Sequence, residues 1–341
     1  MTFFVDEDDG SGVILGICVI EKTRLVENVF PQTNSFYLSE INATKKLAGP
    51  SVEVGALQRI WDLCISGEDE LIVADNYNHR LVSMRKNGDH IGPVVTSESL
   101  NFPKNVACGH AGEIIISEPE ENQVKILDRW SGEFTIIKEA NGTRLSKPQG
   151  IAINSEGKIF VCDSENKRIV RLNSDGVQFD ISETGSGQNE REMCLNAAFD
   201  KQDNIFVTSV TNTIHVFSKD GHFVRHIGPQ ISERHRFTEC RGIAIYDQYI
   251  VVSDFYEDKV HVLTTAGEHV CFVDGFKHPS GIVHDRDGIF YVCDTFNCQI
   301  VKLELRLVPM VSPTTVGVPY DPNAASNVHG KRTPKQHTDT A

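Results

Sequence analysis

Gly150-Ile151-Ala152-Ile153, the turn Ser155-Glu156-Gly157 and the run Ile159-Phe160-Val161-Cys162-Asp163 form the stretch that decides the fold. A short apolar strand, a glycine turn and a β-branched or aromatic strand ending in aspartate follow one another without room for a helix. The same order recurs along the chain. First strands begin at Asp62-Leu63-Cys64-Ile65, Asn105-Val106-Ala107-Cys108, Asn196-Ala197-Ala198-Phe199, Gly242-Ile243-Ala244-Ile245 and Gly281-Ile282-Val283-His284. Second strands end at Asp75, Ser117, Asp163, Ser209, Asp254 and Asp294. A third alternating strand follows, as in Arg168-Ile169-Val170-Arg171-Leu172, and glycines at 88, 132, 176, 221 and 267 turn the chain into a fourth. Four strands in about 40 to 45 residues are one blade of a β-propeller, so the fold class is all-β.

The repeated residues resemble the NHL repeat, whose pattern runs approximately P-x-G-I-A-V-D, I-Y-V-A-D and N-H-R-I. Val73-Ala74-Asp75-Asn76-Tyr77-Asn78-His79-Arg80-Leu81 carries the resemblance most clearly, with Pro148-Gln149-Gly150-Ile151-Ala152-Ile153-Asn154 beside it. The resemblance extends over about residues 57 to 304. It is similar to the C-terminal propeller of TRIM-NHL ubiquitin ligases, without their RING and B-box. It therefore implies a non-enzymatic protein-interaction scaffold, in a role such as substrate recruitment for ubiquitin ligation. Some relatives of this type bind single-stranded RNA, and some propellers of similar fold are metal-dependent lyases or hydrolases; these are the alternative readings.

Upstream of the six clear units, Gly16-Ile17-Cys18-Val19, Leu25-Val26 and Phe36-Tyr37-Leu38 fit the same register. They predict a degenerate unit within residues 1–54 and a seven-bladed ring closed by Thr2 to Val5, with six blades the alternative. Residues 55–304 hold the propeller. Residues 305–341 predict a disordered tail, with prolines at 309, 313, 319, 322 and 334 among Ser, Thr, Asn and Gly.

The 341 residues contain 33 Lys+Arg and 47 Asp+Glu, a net charge of −14. Residues 55–304 account for 25 and 37 of these, so the propeller itself is acidic. That weighs against RNA and gives no expectation of DNA, since polyanion binders carry basic surfaces. No apolar run reaches the length of a membrane-spanning helix. Val13 to Ile20 follows Asp6-Glu7-Asp8-Asp9, whereas a secretory leader is cationic. Nine cysteines with neither a C-x-x-C nor a zinc-type ladder read as reduced thiols, and the expected location is cytoplasmic.

The aspartates Asp75, Asp163, Asp254 and Asp294 recur wherever the turn recurs, which marks them as structural turn residues. Asn78, Asn166 and Asn297, three positions later, are expected to take the left-handed conformation. The thirteen histidines show no equivalent set of three across the blades, so neither a metal nor another cofactor is expected, and no catalytic residue is assigned.

The slot before each first strand faces one rim of the ring and holds Trp61, Lys104, Gln149, Leu195, Arg241 and Ser280. Trp and Arg are frequent anchors of protein interfaces, so this rim is the expected partner-binding surface. On the RNA alternative, Arg80, Lys104, Lys147, Arg168, Arg241 and Lys259 are the candidate phosphate contacts.

Overall fold

A computed structural model describes residues 15–20, 24–29, 37–48, 57–95, 99–172, 178–180, 193–232 and 235–308. They contain six four-stranded antiparallel sheets, in which each strand pairs with the next. Blade 1 comprises Ile60–Ile65, Glu70–Asp75, Arg80–Arg85 and His90–Val95, and blade 2 Val106–Cys108, Ile114–Glu118, Gln123–Leu127 and Phe134–Ile137. Blade 3 is Pro148–Ile153, Ile159–Asp163, Arg168–Arg171 and Gln178–Asp180; blade 4 is Cys194–Phe199, Ile205–Ser209, Ile214–Phe217 and Phe223–Ile227. Blade 5 is Cys240–Tyr246, Tyr249–Asp254, Lys259–Thr264 and His269–Val273. Blade 6 begins with Pro279–His284, Ile289–Asp294 and Gln299–Val308, and its outer strand comes from the other end of the chain, Tyr37–Ala48. The first strands of successive blades touch all the way round, blade 6 meeting blade 1.

Six blades are thus present, and the seventh unit expected upstream does not form a blade among the described residues. Tyr37 and Leu38, read as its third strand, pair with Val308 and Leu307. Leu15–Ile20 and Arg24–Val29 form a separate two-stranded ribbon. The physical reason is the free edge of Gln299–Val308, whose unpaired N–H and C=O groups need a partner strand. Tyr37–Ala48 supplies it; Thr2 to Val5, the expected closing strand, lie outside the described residues, as do residues 309–341.

Burial follows directly from the sequence pattern. Second strands are buried on both faces, and alternate side chains pack into opposite neighbours. In Tyr249–Asp254, Tyr249 and Val251 join the cluster shared with blade 6, while Ile250 and Val252 join the one shared with blade 4. One such cluster fills each of the six blade junctions.

At the end facing the predicted rim, the blades are tied by buried carboxylates. Asp75 accepts the Gln58 N–H at 2.7 Å, Asn78 Nδ2 at 2.8 Å and Arg80 Nε at 2.7 Å. Asp163 accepts the equivalent groups of Ser146, Asn166 and Arg168 at 2.7, 2.7 and 2.8 Å. Asp294 repeats the pattern with Lys277, Asn297 and Gln299. Asp254 accepts the Thr238 and Glu239 N–H groups at 2.8 and 2.9 Å. In blade 2 the equivalent residue is Glu118 and not Ser117: Glu118 pairs with Gln123 across the turn, accepts the Asn101 N–H at 2.6 Å and Gln123 Nε2 at 2.7 Å. Ser117 occupies the preceding slot, where its hydroxyl receives the Asn105 N–H as Thr208 receives that of Asn196.

The asparagines also differ from expectation. Asn78, Asn166 and Asn297 donate to the carboxylates, and the left-handed residues are the next ones, His79 (φ 52°), Lys167 (φ 54°) and Cys298 (φ 51°).

Two stability predictions follow from this packing. Asp163→Ala removes the partner of Arg168, whose side chain is 9% exposed, and is expected to cost about 3–5 kcal/mol in urea unfolding. Gly150 approaches blade 4 so closely that an added Cβ would sit 2.5 Å from the Asn196 Cα. Gly150→Ala is expected to cost about 1–3 kcal/mol; an unchanged midpoint would contradict the tight junction.

Candidate functional site

The carboxylates position the candidate site. Each accepts a backbone N–H three residues before a rim residue: Gln58 before Trp61, Asn101 before Lys104, Ser146 before Gln149, Thr238 before Arg241 and Lys277 before Ser280. The lead-in to every one of these first strands is thereby fixed from below. All six predicted rim residues, with Leu195 from blade 4, converge on one depression of about 30 Å3 over the ring axis.

Its centre of gravity lies with Trp61. The Trp61 ring stacks on Phe255 with centroids 5.6 Å apart and planes 7° from parallel. Arg241 places its guanidinium 4.8 Å from the Trp61 centroid and 4.3 Å from that of Phe255, and Lys104 Nζ lies 5.1 Å from Trp61. Such contacts hold cations against aromatic faces and lower the freedom lost on binding. Burial and the nearby Arg241 charge bring the Lys104 pKa down to about 8. Glu239 neutralises Arg241.

Beneath the rim, Asp62, Asn105 and Asn196 occupy in blades 1, 2 and 4 the slot that close-approach glycines fill in blades 3, 5 and 6. Asp62 Oδ2 accepts the Val106 N–H at 3.1 Å and Asn105 Oδ1 accepts that of Ile151 at 2.8 Å, stitching adjacent first strands together. Burial raises the Asp62 pKa to about 7, against the lowering effect of the Val106 and Leu63 N–H groups. Deeper still, a void of about 280 Å3 runs along the first strands, with Cys64, Cys108, Ile153 and His284 among its walls.

The structure adds residues that sequence comparison did not single out. Around the depression, blades 5, 6 and 1 present aromatic side chains two residues after the turn aspartate: Tyr256, Phe296 and Tyr77. Tyr256 is 62% exposed and Tyr77 46%. His278 stacks on Phe255 at 4.6 Å and meets Phe296 edge-on at 4.4 Å. Arg59 lies over both Phe296 and Tyr77, at 4.6 and 4.5 Å, and donates to the Tyr77 hydroxyl at 2.6 Å. Phe102 continues the series from blade 2. In blades 2 and 3 the same slot holds the exposed acids Glu120 and Glu165. One side of the face is therefore an aromatic and cationic crescent, whereas the same slot is acidic in blades 2 and 3, with Glu120 paired to Lys147, and holds Thr211 in blade 4. The signal was legible in Asp75-Asn76-Tyr77, Asp254-Phe255-Tyr256 and Asp294-Thr295-Phe296 once that slot is compared across units.

The candidate RNA contacts are dispersed and paired. Arg80 and Arg168 are bound to the buried Asp75 and Asp163, Lys147 pairs with Glu120 at 2.7 Å and Lys259 with Glu257 at 2.9 Å. Only Lys104 and Arg241 of that set reach the depression.

A histidine group does converge, though far from the axis. His261 Nδ1 and His269 Nε2 are 3.2 Å apart on the outer strands of blade 5, and His235 stacks on His269 at 4.4 Å. Among the described residues no group of three or more His, Cys, Asp or Glu is arranged to hold a metal ion. Burial, with the neighbouring histidines, lowers the pKa of His261 and of His269 to about 3.

Residues 57–82 and 145–172 match the NHL repeat family. The chain carries NHL repeats. Protein brain tumor of Drosophila melanogaster is 27% identical over 120 residues, 33% of this chain and 11% of that protein. Protein SUPPRESSOR OF QUENCHING 1, chloroplastic, of Arabidopsis thaliana is 26% identical over 121 residues, again 33% of this chain and 11% of the relative. The match thus spans about a tenth of either relative. Among solved structures, virginiamycin B lyase from Staphylococcus aureus superposes with a TM-score of 0.57 at 16% identity, covering 89% of this chain and 98% of the lyase. A gluconolactonase from Xanthomonas campestris superposes at 0.58 with 15% identity, covering 82% and 100%. At such identities the likeness is one of fold, the β-propeller that these NHL repeats build.

A pH prediction follows from the histidines. Their folded pKa lies below the ordinary value near 6.5, so the unfolded chain binds more protons as pH falls between about 6.5 and 3. Their contribution is fully present above pH 6.5 and is lost on acidification. The urea midpoint is expected to fall over that window and to fall less in His261→Gln/His269→Gln; an identical pH slope in that variant would refute the assignment.

Proposed function

We propose that the axial depression and its aromatic crescent form a docking face for another protein, with Trp61, Lys104, Gln149, Leu195, Arg241 and Ser280 as the inner rim. The observation that carries the reading is the contiguous stack running from Trp61 through Phe255, His278 and Phe296 to Arg59 and Tyr77. Aromatic and arginine side chains held rigid by one another are the residues that dominate binding energy in protein interfaces. Exposed aromatics clustered on one half of a face also exceed the scattered apolar exposure usual for a protein surface.

The NHL repeats and the similarity to protein brain tumor are compatible with this scaffold role. Substrate recruitment for ubiquitin ligation is the finer role that resemblance to TRIM-NHL propellers implies. In it, this face holds the substrate while a RING, supplied by a partner or by a longer form of the chain, provides the chemistry. The pairing of Arg80, Lys147, Arg168 and Lys259 with carboxylates favours a protein over a nucleic acid, because each pair would have to break to neutralise a phosphate.

The test places a photo-crosslinking side chain at Tyr77 and, separately, at Glu165 in the acidic slot of blade 3. A discrete protein adduct is expected from position 77 and not from 165. Trp61→Ala is expected to weaken the partner's binding by at least about 2 kcal/mol, some thirtyfold. Adducts of equal strength at both positions, or an affinity untouched by Trp61→Ala, would overturn the face. Binding of single-stranded RNA that falls steeply with salt and disappears in Lys104→Glu/Arg241→Glu would replace it with the nucleic-acid reading.

A further inference from the structure

Cys64 and Cys108 lie on the first strands of blades 1 and 2, and their sulfurs are 2.7 Å apart. In a disulfide the separation is about 2.05 Å, so a small side-chain movement brings the two to bonding distance. The slot of Cys64 holds Ala107, Ala152, Ala198 and Ala244 in the next four blades, which shows that the junction packs with a methyl group and does not require sulfur. The two thiols differ in surroundings. Cys64 is 6% exposed and packs with Ile72, Ala74 and Val106 in the junction between blades 1 and 2. Cys108 is half-buried and, like Cys64, borders the axial void of about 280 Å3. A second pair, Cys162 and Cys194, also joins side chains between blades 3 and 4, but both residues are fully enclosed.

We propose that Cys64 and Cys108 form a thiol modification site in the channel, closed by hydrogen peroxide into a reversible disulfide between blades 1 and 2. Peroxide is small enough for the void. The Cys108 thiolate attacks one peroxide oxygen, the O–O bond breaks, and hydroxide leaves to take up a proton as water. Cys108 is then a sulfenic acid, oxidised by two electrons, while the peroxide has been reduced by two. The Cys64 sulfur next attacks the Cys108 sulfur. The S–S bond forms, the S–O bond breaks, and the oxygen departs as a second water carrying the Cys64 proton. Two thiols and one peroxide have become one disulfide and two waters, and an added dithiol reverses the change.

Cys108 is the residue oxidised first because it is the more exposed of the two thiols bordering the void, whereas burial and Cys108 itself hold the Cys64 thiol well above its ordinary pKa. Cys64 acts as the resolving thiol. The bond lies three residues beyond Trp61 and four beyond Lys104 on the same two strands, so it fixes the spacing of two rim residues from inside the ring.

The experiment treats the full reduced chain with equimolar hydrogen peroxide, blocks remaining thiols, and maps peptides without reduction. The expected product links the Cys64 and Cys108 peptides, is lost on addition of dithiothreitol, and leaves Cys162 and Cys194 as blocked thiols. In Cys64→Ser, a dimedone adduct of a sulfenic acid is expected at Cys108. Absence of the linked peptide while Cys108 carries stable sulfenic or higher acids in the unaltered chain would overturn the proposal. Linkage of Cys162 to Cys194 ahead of the Cys64–Cys108 bond would overturn it as well, since exposure to the void would then not govern reactivity.

Discussion

The rest of the structure depends on a buried carboxylate that recurs in five of the six blades. At the end of the second strand it faces three donors at once: the N–H of the lead-in segment, a turn asparagine, and an arginine or glutamine that starts the third strand. A carboxylate fully removed from water is costly unless its lone pairs are filled. Filling them from three different parts of the blade converts that cost into geometry. The lead-in cannot shift without stranding an acceptor, so the rim residue three positions later is held in place. Blades 1, 3 and 6 use the full set; blade 5 substitutes the Thr238 hydroxyl and a second N–H for the donors of the turn.

The departures show what the constraint tolerates. Blade 2 uses the longer Glu118, which still reaches the Asn101 N–H and adds Lys125 at 2.8 Å as a cationic partner. Blade 4 has Ser209, whose hydroxyl bonds to Thr211 and to the Thr213 carbonyl, closing the turn without reaching a lead-in segment. Its rim residue is Leu195, an apolar side chain in the only rim slot of the six lacking a polar or aromatic group. A fixed latch and a free neighbour are complementary. Once the backbone is pinned by the carboxylate, the residue two positions beyond it can be Tyr, Phe, Glu or Thr without altering the turn. This freedom is what allows the slot to be aromatic in blades 5, 6 and 1 and acidic in blades 2 and 3 on a repetitive scaffold.

Ring symmetry decided what could be read from the sequence. A propeller maps equal positions in its repeats onto equal positions around an axis, so aligning six short strands was enough to bring Trp61, Lys104, Gln149, Leu195, Arg241 and Ser280 together. The blade count was less legible. Outer strands have one solvated face and a weak pattern, and the hydrogen-bonding edge that captured Tyr37–Ala48 is not written in side chains at all. The left-handed turn position was misplaced by one residue because Asn78, Asn166 and Asn297 suit that conformation but serve better as donors to a buried acid. Ser117 was aligned with the aspartates because Glu118 differs from them in length, and only its strand partner Gln123 reveals the equivalence. The histidines of blade 5 were invisible for the opposite reason. His235 lies in a connection between blades, outside any repeated slot, so no register comparison could place it against His261 and His269.

The proposed docking face is consistent with the dimensions of the axis. A depression of about 30 Å3 accommodates about one water, and in the neck immediately below it Asp62 and Asn105 are occupied with stitching neighbouring first strands. The glycines at 150, 242 and 281 narrow the neck further by letting backbone approach backbone. On the proposed reading a partner meets what stands around the opening, where Trp61 is braced by Phe255 and by two cations. The void beyond the neck, of about 280 Å3, lies along the same first strands. The two proposed chemistries share the same first strands: an aromatic surface at their beginnings and a pair of thiols a few residues further on.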